Sequence, residues 1–199
     1  IVGPTISPCP GCGSGGGGDY IFKTTVNFSG FAYPKATVHI WKDGSPIKTT
    51  IANDRGVFST DIDEPYSDNA IYTLYAIDKE DRRSTLLNYP VAIKSGYYTQ
   101  IKNIRFAPTI STDKTEVKFG DSLIITGYAL PSENVVITIE GLQNQIFNEI
   151  TSSDGSYKFT YSLVNFSKGD YSVKIGYKND KRTSKIVKFT IGDINILST

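Results

Sequence analysis

Methionine is absent, histidine and tryptophan occur once each as His39 and Trp41, and the only cysteines are Cys9 and Cys12. Each scarcity closes off a class of function. General acid and base catalysis near neutral pH leans on histidine, and a serine or cysteine nucleophile ordinarily needs a base beside it. In Thr37-Val38-His39-Ile40-Trp41, strict alternation sets His39 on the face opposite Val38 and Ile40, the place of a solvent-facing strand residue. No Gly-Lys-Ser/Thr loop, no Gly-x-Gly-x-x-Gly after a strand, no Gly-x-Ser-x-Gly elbow and no His-Glu-x-x-His helix occurs. The chain reads as a non-enzyme, with no catalytic residue and no cofactor.

An excess of charge is missing too. Lys plus Arg number 21 against 20 Asp plus Glu, and the net charge of +1 supplies no field to hold nucleic acid or an anionic membrane face. Apolar runs are only a few residues long, as in Leu123-Ile124-Ile125, so no transmembrane helix is expected. A chain that opens at Ile1 without an initiator methionine fits a mature exported protein that has lost a secretory signal.

What is present is β-pattern and repetition. Residues 1–18 are dominated by glycine and proline, with too few side chains for a core, and read as a tail or linker. Beyond them, short runs rich in Val, Ile, Thr, Tyr and Phe alternate with period two between turn dipeptides such as Asp43-Gly44 and Asp154-Gly155. This predicts strands near 20–31, 37–41, 47–52, 57–62, 71–78, 84–93 and 98–106. A second set falls near 116–119, 122–128, 135–139, 146–151, 157–163, 171–177 and 184–191. No stretch of helix length holds a 3.6-residue apolar period, so the chain is all-β.

The two halves copy each other. Phe28-Ser29-Gly30-Phe31-Ala32-Tyr33-Pro34 matches Ile125-Thr126-Gly127-Tyr128-Ala129-Leu130-Pro131, Gly56-Val57-Phe58 matches Gly155-Ser156-Tyr157, and Asp81-Arg82-Arg83-Ser84 matches Asp180-Lys181-Arg182-Thr183. The offset stays between 97 and 99 residues, the length of one Greek-key sandwich. Two tandem domains are expected, 19–106 and 107–199, with the boundary at Ala107-Pro108, which cannot continue a paired central strand. Gly30 and Gly127 are expected where a bulge or close strand approach leaves no room for a side chain.

In the second repeat, Pro108-Thr109-Ile110, the run from Val117 through Gly120-Asp121 to Gly127, and Asp154-Gly155-Ser156-Tyr157-Lys158-Phe159 resemble bacterial immunoglobulin-like domains of secreted and surface-anchored proteins. The likeness covers nearly all of 19–192 and implies β-sandwiches serving as spacer, adhesin stalk or assembly module, with no catalytic residue to carry over. By analogy, Tyr72 and Tyr171 fall where such folds place a tyrosine corner. The first repeat departs from the pattern. Its Val-x-x-Gly-Asp step is replaced by the cysteine and glycine segment, so its opening strand is expected to be missing or supplied from elsewhere.

Candidate sites are few. Cys9-Pro10-Gly11-Cys12 lacks the helix of a redox motif and the second ligand pair of a zinc site, which leaves an extracellular disulfide, either the local ring or a bond to another chain. Asp61, Asp63, Glu64 and Asp68 are candidate calcium ligands without EF-hand spacing, and a solvated acidic loop is the competing reading. Trp41, Tyr97 and Tyr98 could form a sugar-stacking platform, and Asn27-Phe28-Ser29 and Asn165-Phe166-Ser167 match the glycosylation sequon.

The sequence therefore points to an extracellular or cell-surface structural protein, a subunit of a fibre that associates with itself head to tail. A terminal segment, through Ile1, Val2, Thr5 and Ile6 or through Ile194 and Ile196, would complete a sheet edge of the next copy. The alternative is a carbohydrate- or ligand-binding adhesin module with glycans as partners.

Overall fold

The computed structural model describes residues 23–64 and 68–199, together with the backbone of residues 5–8. Among the described residues there is no helix; none is therefore long and apolar enough to cross a membrane, which leaves β-barrels unaddressed. The strands of the first half are β1 (Thr5–Pro8), β2 (Thr24–Phe31), β3 (Thr37–Lys42), β4 (Ser45–Ile51), β5 (Val57–Glu64), β6 (Asp68–Ile77), β7 (Leu87–Ile93) and β8 (Tyr97–Arg105). Those of the second are β9 (Ser111–Thr112), β10 (Lys114–Lys118), β11 (Ser122–Tyr128), β12 (Asn134–Gly141), β13 (Gln145–Ile150), β14 (Ser156–Ser162), β15 (Gly169–Tyr177), β16 (Val187–Gly192) and β17 (Ile196–Leu197).

Alternation builds the layers. Val38 and Ile40 on β3, and Tyr72 and Leu74 on β6, point inward to meet Phe28, Phe58 and Ile101, while His39 and Tyr75 stack on the outside with ring centroids 4.8 Å apart. Sheet β1-β8-β2-β5 thus faces sheet β4-β3-β6-β7 over one core that runs from Val26 to Phe106. A second core, from Val117 to Ile191, lies between β14-β11-β9 and β13-β12-β15-β16-β10-β17. With its first segment split between β9 on one sheet and β10 on the other, the second half has an immunoglobulin-like strand order. The chain is an all-β pair of immunoglobulin-like sandwiches.

The halves differ at their first strand. In the second, β9 runs antiparallel beside β11. In the first, the same flank of β2 is taken by β8, which arrives from the far end of the domain and runs parallel, Thr25 opposite Tyr98 and Phe31 opposite Arg105. The expected vacancy is filled from within the chain. Register slips between Phe28 and Gly30, and a Cβ on Gly30 would collide with the Ile104 backbone, which is the physical content of the glycine there.

Three expectations are adjusted. β2 begins at Thr24, and residues 20–22 lie outside the described residues. The strand expected over 84–93 begins at Leu87, because the Ser84 hydroxyl accepts from Ala76 N (3.0 Å) and replaces a ladder bond. The tyrosine-corner analogy holds for one repeat: Tyr171 donates to the Ser167 carbonyl four residues upstream (3.1 Å), whereas Tyr72 donates to the Glu64 carboxylate.

Candidate interaction surfaces at the interdomain joint and the sheet edges

The segment joining the sandwiches is short, and Phe106, Ala107, Pro108 and Thr109 are all buried. Buried carbonyls need donors. Three tyrosines supply them, with Tyr177 donating to Phe106 O (3.0 Å), Tyr33 to Ala107 O and Tyr157 to Thr109 O. Tyr33 comes from the first sandwich and the other two from the second, so both domains grip the same four residues. Desolvation pushes all three phenols above their ordinary value, which keeps them neutral donors at physiological pH.

Two charged clamps flank the linker. The Asp78 side chain is wholly buried and accepts from Glu80 N (2.9 Å), Arg82 N (3.0 Å), Arg82 Nε (2.9 Å) and the Thr109 hydroxyl (2.5 Å). Arg82 continues across to Ser111 Oγ (3.2 Å), with its guanidinium 5.6 Å from the Tyr128 ring centroid. On the other flank, Arg182 is held by Asp180 and donates from Nη1 to Arg105 O (2.5 Å), and Arg105 pairs with Glu133 (2.9 Å) while lying over the Tyr177 ring. The hydrogen bond from Arg182, with lesser help from nearby positive charge, holds the Asp180 carboxyl below the usual carboxylate range. Both clamp arginines stand in the repeated segments 81–84 and 180–183 that mark the two halves as copies, and Asp180 does too, whereas Asp78 lies three residues ahead of its segment. Tyr33 and Tyr157 stand in the matched segments 28–34 and 155–157, but that match marks no contact with the linker; the available signal was that a buried phenol must find a partner.

The terminal segments lie on sheet edges of their own chain. Thr5 and Ile6 stand opposite Gln100 and Thr99, with β1 antiparallel to β8. Ile196 stands opposite Glu116 on β10, Ile194 is exposed just before it, and Asn195 accepts from Lys118 N (2.8 Å) and donates to Asp121 (2.8 Å). Ile1, Val2, Cys9 and Cys12 lie outside the described residues.

The acidic candidates do not converge. Asp61, Asp63 and Glu64 lie on strand β5 and not around a loop, so pleating aims Glu64 inward and Asp61 and Asp63 outward. Glu64 is taken by Tyr72 and by Lys42 (2.5 Å), Asp63 by Lys23 (2.9 Å), and Asp61 by Asn27 (2.7 Å) and Tyr98 (3.0 Å). Asp68 begins β6, and its side chain lies outside the description. No cluster of three metal-ligating side chains exists among the described residues.

Nor does the aromatic platform assemble. Trp41 is on the outer face of β3, paired with Thr73, while Tyr97 and Tyr98 belong to β8 in the opposing sheet. Trp41 instead shares a face with His39, Tyr75 and Ile71. None of the outward strand positions Thr37, His39, Trp41, Thr73, Tyr75 and Asn88 is charged, whereas the equivalent face of the second sandwich carries Glu140, Lys174 and Asp170. The sequons separate as well: Asn27 is buried with its amide on Ser59 and Asp61, and Asn165 is exposed in a turn.

No protein-family model and no curated protein matches the chain. Among solved structures, it is similar to the fibronectin(III)-like modules of Clostridium thermocellum CbhA (12% identity, 94% of this chain and 93% of that one, TM-score 0.32). The D0-D1 domain of Intimin gives 14% identity over 80% of this chain and 84% of that one, and murine CEACAM1b 14% over 84% and 100%, each with a TM-score of 0.32. Likeness at this level bears on no function.

Proposed function

We propose that this chain is a non-enzymatic structural subunit of an extracellular surface fibre or stalk, two sandwiches fixed by a rigid joint and joined to neighbouring copies by strand addition. The observation that carries the reading is the linker whose Phe106, Ala107 and Thr109 carbonyls are each capped by a tyrosine hydroxyl, two of them from the domain that follows. A flexible tether between independent binding modules would leave those carbonyls to water; a spacer that transmits orientation buries them.

Strand addition is supported by the edges. β8 is nine residues long, and β1 covers only Tyr97 to Gln100 of it, which leaves the remainder of that edge as a template. β1 is a four-residue strand on a glycine-rich tether, so exchange with a neighbouring copy replaces like with like and generates a head-to-tail chain that does not close. Light scattering and negative-stain imaging of the full chain and of a chain lacking residues 1–18 test this: the full chain elongates and the truncated one remains a folded monomer. If the truncated chain assembles like the full one, and removal of residues 193–199 is equally harmless, the strand-addition reading is wrong.

The carbohydrate-binding alternative keeps one observation in its favour, the aromatic face of Trp41, His39 and Tyr75, whose strand positions carry no charge although the Arg83 guanidinium lies 5.2 Å from the Tyr75 ring centroid. Neutral sugars bind such faces by ring stacking and hydroxyl contacts. A glycan array decides it.

A further inference from the structure

A cleft of about 630 Å³ opens where β7 and β8 of the first sandwich meet the turn between β15 and β16 of the second. It owes its shape to the joint. The back wall is Arg182, immobilised by Asp180 and the Arg105 carbonyl, and the domains are tied beside it by the Thr85 hydroxyl on Thr183 O (3.3 Å). The floor includes Tyr89, half-buried against the first core.

The side chains at the rim have unspent bonding capacity. Lys102 from the first sandwich and Lys181 from the second both line the cleft, and no hydrogen bond, ion pair or ring contact among the described residues engages either one. Asn103 and Asn179 line it on the same terms, one from each domain. Asn103 also sits at φ +57°, a left-handed conformation in the middle of strand β8, in the stretch where the β2–β8 register slips. Asparagine tolerates this conformation better than other residues with a side chain, and the bulge leaves Asn103 among the residues that line the cleft.

We infer that this cleft binds an anionic saccharide, a sugar bearing a carboxylate. Lys102 and Lys181 would take the carboxylate, the two asparagine amides, each donor and acceptor at once, match vicinal hydroxyls, and Tyr89 offers a ring to an apolar sugar face. Since the groups come from both sandwiches and the joint holds them in place, the site is preorganised and would be lost if the domains were free to reorient. The cleft borders the stretch of β8 that β1 leaves uncovered, so a saccharide here and a strand added there are competing occupants of one edge.

Calorimetric titration of the full chain with trigalacturonate tests it, with the fully methyl-esterified trimer and a short poly-glutamate as the other ligands. Saturable binding of trigalacturonate is expected. The ester should bind at least tenfold more weakly, and the double variant Lys102→Ala/Lys181→Ala should lose at least tenfold in affinity, the cost of about one charge-assisted hydrogen bond. A control pair on other strands, Lys48→Ala/Lys158→Ala, should bind like the unaltered chain, and circular dichroism should show all variants equally folded. Absence of saturable binding, or undiminished binding by the Lys102/Lys181 variant, overturns the site. Poly-glutamate binding as tightly as trigalacturonate overturns the saccharide assignment.

Discussion

The phenol of Tyr177, on a strand of the second sandwich, donates to the carbonyl of Phe106, the last core residue of the first, and at the same time accepts from Leu130 N (3.1 Å). One hydroxyl thus couples two domains. Replacing Tyr177 by Phe removes both bonds and leaves a buried carbonyl and a buried amide unpaired, at a cost of about 2 kcal/mol. Trp41 reports only on the first sandwich, so its fluorescence and the far-UV signal of the whole chain compare one domain with both. In urea the two curves should coincide for the unaltered protein and separate for Tyr177→Phe. Coincident curves in the variant would argue against coupling through this contact.

The buried carboxylate of Asp78 gathers donors from Glu80, Arg82 and Thr109. Asp78→Ala leaves the partly buried Arg82 with only the exposed Glu80 as a carboxylate partner (2.8 Å) and strands the donors of Thr109 and the turn, and is expected to destabilise the chain by roughly 3–5 kcal/mol. Equilibrium unfolding measures this; a loss near zero would mean that Arg82 finds its compensation in Glu80 alone.

Asp180 links stability to pH. Its folded pKa lies below the unfolded value, chiefly through the Arg182 hydrogen bond, so the unfolded state binds more protons in the window between the two. The contribution is fully present above the unfolded value of about 3.9 and is lost as pH falls through the folded one. Asp180→Asn should therefore be less stable at neutral pH and show a shallower decline on acidification below about pH 4. Parallel stability curves for the two proteins would contradict the clamp.

Tyr72 and Tyr171 occupy matching places but make different bonds, one to a buried carboxylate and one to a backbone carbonyl. Tyr72→Phe should cost about 2 kcal/mol and Tyr171→Phe about 1 kcal/mol, because a hydrogen bond to a charged group is the stronger kind. Thermal unfolding of the two variants ranks them; the reverse order would show that Lys42 alone satisfies Glu64.

Two glycines should respond differently to alanine. At Gly30 a Cβ would collide with the Ile104 backbone, which cannot yield without opening the β2–β8 ladder, and the expected cost is on the order of 3 kcal/mol. Gly44 has open space around it and only its φ of +83° to lose, at about 1 kcal/mol. Equal losses, read from urea midpoints, would mean that the close approach at Gly30 is not limiting.

Local pattern determined much of this molecule. Alternation at Val38, His39 and Ile40 assigned inside and outside correctly, the repeated Asp-x-Arg and Gly-x-aromatic steps matched the halves, and the glycine at position 30 announced a close approach, because pleat and backbone sterics act within a few residues of chain. Which strands become neighbours is not written in that way. Only the closed structure could put β8 in the place of a missing first strand, set Trp41 and Tyr98 in opposing sheets, or bring Tyr33 to Ala107 across 74 positions of sequence. Period two records the face a side chain takes, while partner and joint depend on packing of the whole core, where every buried polar group must find its bond among residues far away in the chain.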